Sequence, residues 1–158
     1  MVDKLKWCFG KKEVKFIEPN ENLANEYLRS AEETLLVLRD IRGKSNMWVA
    51  TAKYYCEYFA VYALLMRLGI KSEIHSCTIE ILRFLEKENV IGKGIAKMLE
   101  YDKELRIDNQ YYLKNREVIV NYDNLRDLIL KMKEITNTIS NEKIAEIRKK
   151  IKELIQGP

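Results

Sequence analysis

The stretch Ala50 to His75, ATAKYYCEYFAVYALLMRLGIKSEIH, decides the fold. Before Gly69 its only charged residues are Lys53, Glu57 and Arg67. A helix that is apolar nearly all round sits in the middle of a bundle rather than on its surface. Tyr54, Tyr58 and Tyr62 are spaced by four and share one side, with Tyr55 and Phe59 beside them. Lys53 and Glu57 lie one turn apart and can pair. Tyr55, Phe59 and Ala63 are the expected contacts with the preceding and following helices. The plain reading of the aromatic stripe is core packing or a homodimer face. A base-stacking platform would need the same rings exposed.

Gly69 breaks this helix, and His75, the only histidine of the chain, opens the next. Histidine is the side chain that titrates nearest neutral pH. At a helix start the free backbone N–H groups disfavour the imidazolium. A neutral imidazole is what a general base requires. The plainer alternative is a polar residue hydrogen-bonded beside the cap.

The same periodicity extends outward. A first long helix runs from Asn20 or Asn22, either a plausible N-cap, to about Arg42, on Ala24, Tyr27, Ala31, Leu35, Leu38 and Ile41. Gly43 closes it, and Ser45 and Asn46 can cap the central helix, from about Met47 to Leu68. Ser72 can cap the third helix, which runs to about Lys87. Asn89 to Gly94 reads as a turn. Its Gly92-Lys93-Gly94 lacks phosphate-loop spacing. Helical segments follow at Ile95–Tyr101, Leu105–Tyr112 and Tyr122–Thr138. A last one is capped by Ser140 and Asn141. Residues 1–18 read as a short irregular arm, with one helical turn at KWCF and a brief strand at EVKFI. The expected fold is all-α, an antiparallel bundle of about five helices over residues 19–158.

Composition limits the function. The chain has 158 residues, 47% hydrophobic and 33% charged, with a net charge of +4. One domain with one core is expected. The basic residues are interleaved with Glu and Asp, so charge alone does not argue for DNA binding. The three cysteines, Cys8, Cys56 and Cys77, are odd in number and form no C-x-x-C pair. Neither a disulfide nor a zinc site is expected, and a reducing, cytoplasmic compartment follows from that reading. MVDKLKWCFGKK has no signal-peptide apolar core, and no apolar run approaches the roughly 20 residues of a membrane span.

The segment from Ala50 to Ser76 resembles the signature of the HEPN superfamily (higher eukaryotes and prokaryotes nucleotide-binding), in its small stand-alone form. The matching pattern is an A-Y-Y-A-x-F-like helix, then a Gly, a basic residue and His-Ser. Leu105-Arg106-Ile107-Asp108-Asn109-Gln110-Tyr111-Tyr112 is a second echo. The opening KWCF through EPNENLANEYL is a third. The resemblance implies a bundle of four or five helices, often a homodimer, often paired with a small nucleotidyltransferase as toxin and antitoxin. Active members are metal-independent endoribonucleases carrying R-x4-6-H. Their His helps activate the ribose 2′-OH and their Arg steadies the scissile phosphate.

On that resemblance Arg67 and His75 are the candidate catalytic pair, with seven residues between them. Tyr54, Glu57, Lys71 and Ser72 are candidate ligand-binding residues. No cofactor or metal is expected. Three functions are consistent with the sequence. The first is a dimerising module that binds a nucleotide, RNA or a nucleotidyltransferase. The second is a toxin-type ribonuclease using Arg67 and His75. The third is a helical scaffold without ligand. The spacing, one beyond the family range, ranks the binding module first.

Overall fold

The computed structural model describes residues 2–157. In chain order the elements are α1 (Val2–Gly10), β1 (Val14–Phe16), α2 (Glu21–Asp40), α3 (Asn46–Leu68), β2 (Ile70–Ser72), α4 (His75–Lys87), α5 (Ile95–Gln110), α6 (Tyr122–Thr138) and α7 (Asn141–Gln156). The fold is an all-α bundle with one small antiparallel two-stranded sheet, in which Val14 pairs with Ser72 and Phe16 with Ile70.

α3 is the axis. Every residue from Ala60 to Met66 is buried, as its near-uniform apolar sequence demands. α2 runs back along it and presents Ala24, Leu28, Ala31, Leu35 and Leu38. α5 and α6 cover other flanks of α3. Tyr54 is completely buried, whereas Tyr55 and Phe59 are only half-buried. The Phe59 ring meets Tyr27 of α2 at 6.0 Å, and Tyr55 meets His75 of α4 at the same centroid distance. Ala63 is fully buried. The aromatic stripe is therefore graded: deep at Tyr54, shallow at Phe59.

The helix ends follow cap chemistry. Asn20, Ser45 and Ser140 each accept a hydrogen bond from the backbone N–H three residues on. Asn121 does the same for α6, unforeseen in the sequence. Gly69 caps α3 at φ 72°, a left-handed conformation that glycine adopts without penalty. A side chain there would also overlap Arg148 and the backbone at Ile17. Arg148 of α7 donates to the carbonyls of Ile17, Leu68 and Gly69 at 2.7–2.9 Å, placing a cation on the negative end of α3.

Several sequence expectations change here. The first 18 residues are not an irregular arm, because α1 and β1 dock on the bundle with Leu5, Cys8 and Val14 buried. Ser72 does not cap α4. It lies in β2, and its hydroxyl donates to Ile74 O, while α4 begins at His75 with no side-chain cap. The two segments read on either side of Tyr101 are one continuous α5. Cys8 and Cys77, far apart in sequence, form a disulfide between α1 and α4, both sulfurs fully buried. Pairing across the fold is invisible to C-x-x-C counting, and it removes the premise on which a reducing compartment rested. No helix among the described residues is long and apolar enough to cross a membrane.

The disulfide closes a loop of 69 residues. Its reduction, or the Cys8→Ser substitution, is expected to lower the unfolding free energy by about 2–4 kcal/mol in denaturant titration. A loss under about 1 kcal/mol would show that the bundle holds α1 without it. Alkylation of unreduced, unfolded protein should mark only Cys56, the one free cysteine among the described residues.

Candidate functional site

Three elements meet around His75. α4 carries it on its first residue. α3 supplies Tyr54, Tyr55 and Tyr58, and α5 supplies Arg106 and Lys103. The imidazole stacks on Tyr58 with ring centroids 4.3 Å apart. Its Nδ1 shares a 2.8 Å hydrogen bond with the Tyr54 hydroxyl. Which atom donates depends on the tautomer. Nε2 has no protein partner among the described residues and is not sealed from solvent.

Burial, then Arg106, then Lys103 lower the His75 pKa to about 4. The imidazole is therefore neutral at physiological pH. Burial likewise raises the Tyr54 and Tyr58 hydroxyls, so both keep their protons. If Nδ1–H donates to Tyr54, Nε2 offers a lone pair; if Tyr54 donates to Nδ1, Nε2 carries the hydrogen.

Arg106 is the unusual member. It is 8% exposed and makes no ion pair with a carboxylate among the described residues. Its Nη1 has only long hydrogen bonds, 3.5 Å to Tyr55 and 3.4 Å to Gln110. Its Nε is buried without a partner. Compensation comes from ring faces: Tyr54 at 4.9 Å, Tyr55 at 5.4 Å and Tyr111 at 5.9 Å. A buried guanidinium without a carboxylate is costly. Together with Lys103 it sets positive charge beside the imidazole.

The sequence-derived candidates separate into two groups. Tyr54 and His75 are brought together. Arg67 is not brought to them. Thirteen helical residues separate it from Tyr54 and nine from Tyr58, and nine residues rotate a helix by about 180° relative to the starting position. Arg67 therefore leaves α3 on the side away from the Tyr58–His75 stack, with its Nε buried and without a hydrogen bond. Lys71 is exposed on β2 and pairs with Glu73 at 3.4 Å. Ser72 is buried in a relay: its backbone N–H donates to the Tyr62 hydroxyl, which donates to Ser72 O, and its own hydroxyl accepts from Thr78. Tyr58 bonds to Thr78 in turn. Ser72 thus positions the start of α4 and has no free group for a ligand.

Glu57 is 1% exposed, facing away from solvent against α5. Lys53 bonds Asp102 at 2.6 Å and lies 3.4 Å from Glu57. Burial, with Asp102 next to it, raises the Glu57 pKa well above the carboxylate range. Burial opposes charge on Lys53 too, but Glu57 and Asp102 outweigh it and raise its pKa. Glu57 is thus an internal residue, its carboxyl pushed by burial towards the protonated form, and Lys53 makes the link from α3 to Asp102 of α5.

Sequence reasoning missed Arg106 and Lys103 as members of the site, although Arg106 stood in the second family echo. What the sequence hid was that Arg106 faces inward while Asp102, the acidic residue one turn before it, is taken by Lys53 of α3. Among the described residues no group of three His, Cys, Asp or Glu could hold a metal ion.

A family model for the HEPN domain matches residues 24–154 of the chain. No curated protein and no solved structure matches it.

Two measurements check this electrostatic picture. The single histidine should titrate near pH 4 in its NMR resonances, and a midpoint near 6.5 would show an open, solvated ring. Because the folded pKa lies below the unfolded one, the unfolded state binds more protons between these values. The His75 contribution is present above about pH 6.5 and is lost as pH falls towards 4. His75→Gln should remove that part of the acid sensitivity. Glu57→Gln should be tolerated, since the amide mimics the neutral acid. A loss of about 3 kcal/mol or more, as follows breaking a buried ion pair, would show that Glu57 is ionised.

Proposed function

The chain belongs to the HEPN domain family, and from that premise we propose that it is a nucleotide- or RNA-binding module whose phosphate seat is the notch between α3, α4 and α5. The observation that carries this is Arg106. A guanidinium 8% exposed, with no carboxylate and an unpartnered Nε, is matched best by an anion that arrives from outside. His75 completes the seat. Its neutral ring, in the tautomer with Nε2–H, donates to a phosphate oxygen without adding a charge that would repel Lys103 and Arg106.

The ribonuclease reading has an observation of its own. In the other tautomer, Nε2 presents a lone pair with a pKa low enough to stay unprotonated at neutral pH. That suits withdrawal of a proton from a ribose 2′-OH. Arg67, the sequence candidate, and Arg106, the structural neighbour, then compete for the role of holding the phosphate. Cleavage of single-stranded RNA in EDTA by wild type, with loss in His75→Ala, would establish the enzyme. Loss in either Arg67→Ala or Arg106→Ala would identify the arginine.

We infer also that the module pairs with itself or with a nucleotidyltransferase, as its family suggests. Leu36 and Val37 on α2 and Leu130 on α6 are each more than half exposed, which supports a protein partner on that side. Sedimentation at tens of micromolar showing only an 18.7 kDa species would count against the homodimer.

The binding reading is checked by titrating AMP or inorganic phosphate while following the His75 resonances. A bound phosphate favours the imidazolium, so the pKa should rise from about 4. Arg106→Met, which keeps much of the packing volume, should weaken this response at least tenfold. An unmoved His75 at millimolar ligand would remove the notch as a phosphate seat.

A further inference from the structure

The chain leaves the notch along a second feature that the phosphate seat does not use. α5 ends at Gln110, and the backbone then turns through left-handed residues at Leu113 (φ 51°) and Asn115 (φ 53°) before α6. This segment is held firmly at its base. Asn109, 1% exposed, works like a strand partner: its Oδ1 accepts from Arg116 N at 2.7 Å and its Nδ2 donates to Arg116 O at 2.9 Å. Lys114 N donates to Asp108 O at 3.0 Å. The Asp108 carboxylate takes Arg116 at 2.8 Å and Lys114 at 3.4 Å.

A loop pinned this way would be expected to turn its rings inward. Instead Tyr111 is 65% and Tyr112 68% exposed. Cations alternate with these rings. Arg106 lies against Tyr111 and Lys114 against Tyr112, both at 5.9 Å. Arg106 thus links the buried notch to the exposed loop in one continuous line. Single exposed aromatics need no explanation. Two adjacent rings on a fixed backbone, flanked by cations and leading from an arginine without a carboxylate partner, do.

We propose that the loop from Tyr111 to Arg116 is the docking strip for a single-stranded nucleic acid, extending the notch from a mononucleotide seat to a polynucleotide track. This rests on the phosphate reading of Arg106. One phosphate lies in the notch. The following bases stack on Tyr111 and Tyr112, a sequence-tolerant contact because every base has a π-face. Lys114 and Arg116 exchange part of their pairing with Asp108 for the next phosphates. A duplex fits poorly, since its base faces are already stacked. The strip contains no group committed to the sugar, so RNA and DNA are separated by experiment.

The test uses the whole chain with its disulfide intact. Fluorescein-labelled rU12 and dT12 are titrated by anisotropy at about 50 mM salt, where phosphate contacts are strong. Tyr111→Ala/Tyr112→Ala should keep the wild-type melting temperature, because both rings are outside the core. It should weaken oligonucleotide binding by about tenfold or more. Tyr112→Ala alone, which leaves the Arg106–Tyr111 contact in place, should leave the His75 response to inorganic phosphate unchanged. RNA-only binding or binding to both oligonucleotides upholds the strip and names its ligand. Absence of binding to either, or equal binding by the double variant, overturns it. A His75 response to phosphate with tyrosine-independent oligonucleotide binding sinks the strip alone. Tyrosine-dependent binding with an unresponsive His75 and an unaffected Arg106→Met sinks the notch and leaves the strip.

Discussion

Burial of most of α3, and of every residue from Ala60 to Met66, is the constraint from which the rest of the molecule follows. A helix with so little wet surface must be wrapped, and α2, α5 and α6 do so. It also cannot leave a polar group unsatisfied cheaply. Several polar side chains on α3 become links to other elements, while the Glu57 oxygens and the Arg67 Nε go without a hydrogen bond. Tyr62 holds the backbone of β2, Tyr58 holds Thr78 of α4, and Lys53 holds Asp102 of α5. The hydroxyls near the His75 end of α4 are thus fixed by the core, not by the surface. The site lies along the edge of this mostly buried helix.

The α3–α5 contact places two opposite solutions to charge burial one helical turn apart. At Asp102 a lysine lies between two carboxyl groups, and burial pushes the Glu57 carboxyl towards its protonated form. At Arg106 nothing settles. Ring faces offset part of the cost, and the remainder is what the proposed phosphate would relieve. Burial first, and then the same field, keep His75 neutral. The cations that would welcome a phosphate thus add to what burial does to the imidazole.

The bundle was legible because it depends on periodicity and caps. The apolar run around Phe59 to Met66, the glycine at position 69, and Asn20, Ser45 and Ser140 each act through near neighbours in sequence, and each did what its residue type dictates. The features that were missed depend on distant pairs. β2 exists because residues 14–16 arrive beside it, and Cys8 meets Cys77 only after the fold has closed. The site was half legible for the same reason. His75 and Tyr54 belong to adjacent helices joined by a short turn, whereas Arg106 is three elements away from Tyr54 along the chain. Arg67 looked nearer in sequence but stands on the wrong side of its helix.

The placement of α1 has a consequence for how the chain comes together. Its packing partners are α4 and α7, its neighbour β1 pairs with β2, and its cysteine is bonded at position 77. A chain emerging from the ribosome N-terminus first would carry its opening helix without a berth while α2 and α3 pair through local contacts. Only after α7 has been made does the cradle for α1 exist in full. α1 is thus made well before α7, one of the helices that seat it, and the sulfur bond needs α1 and α4 to have met first.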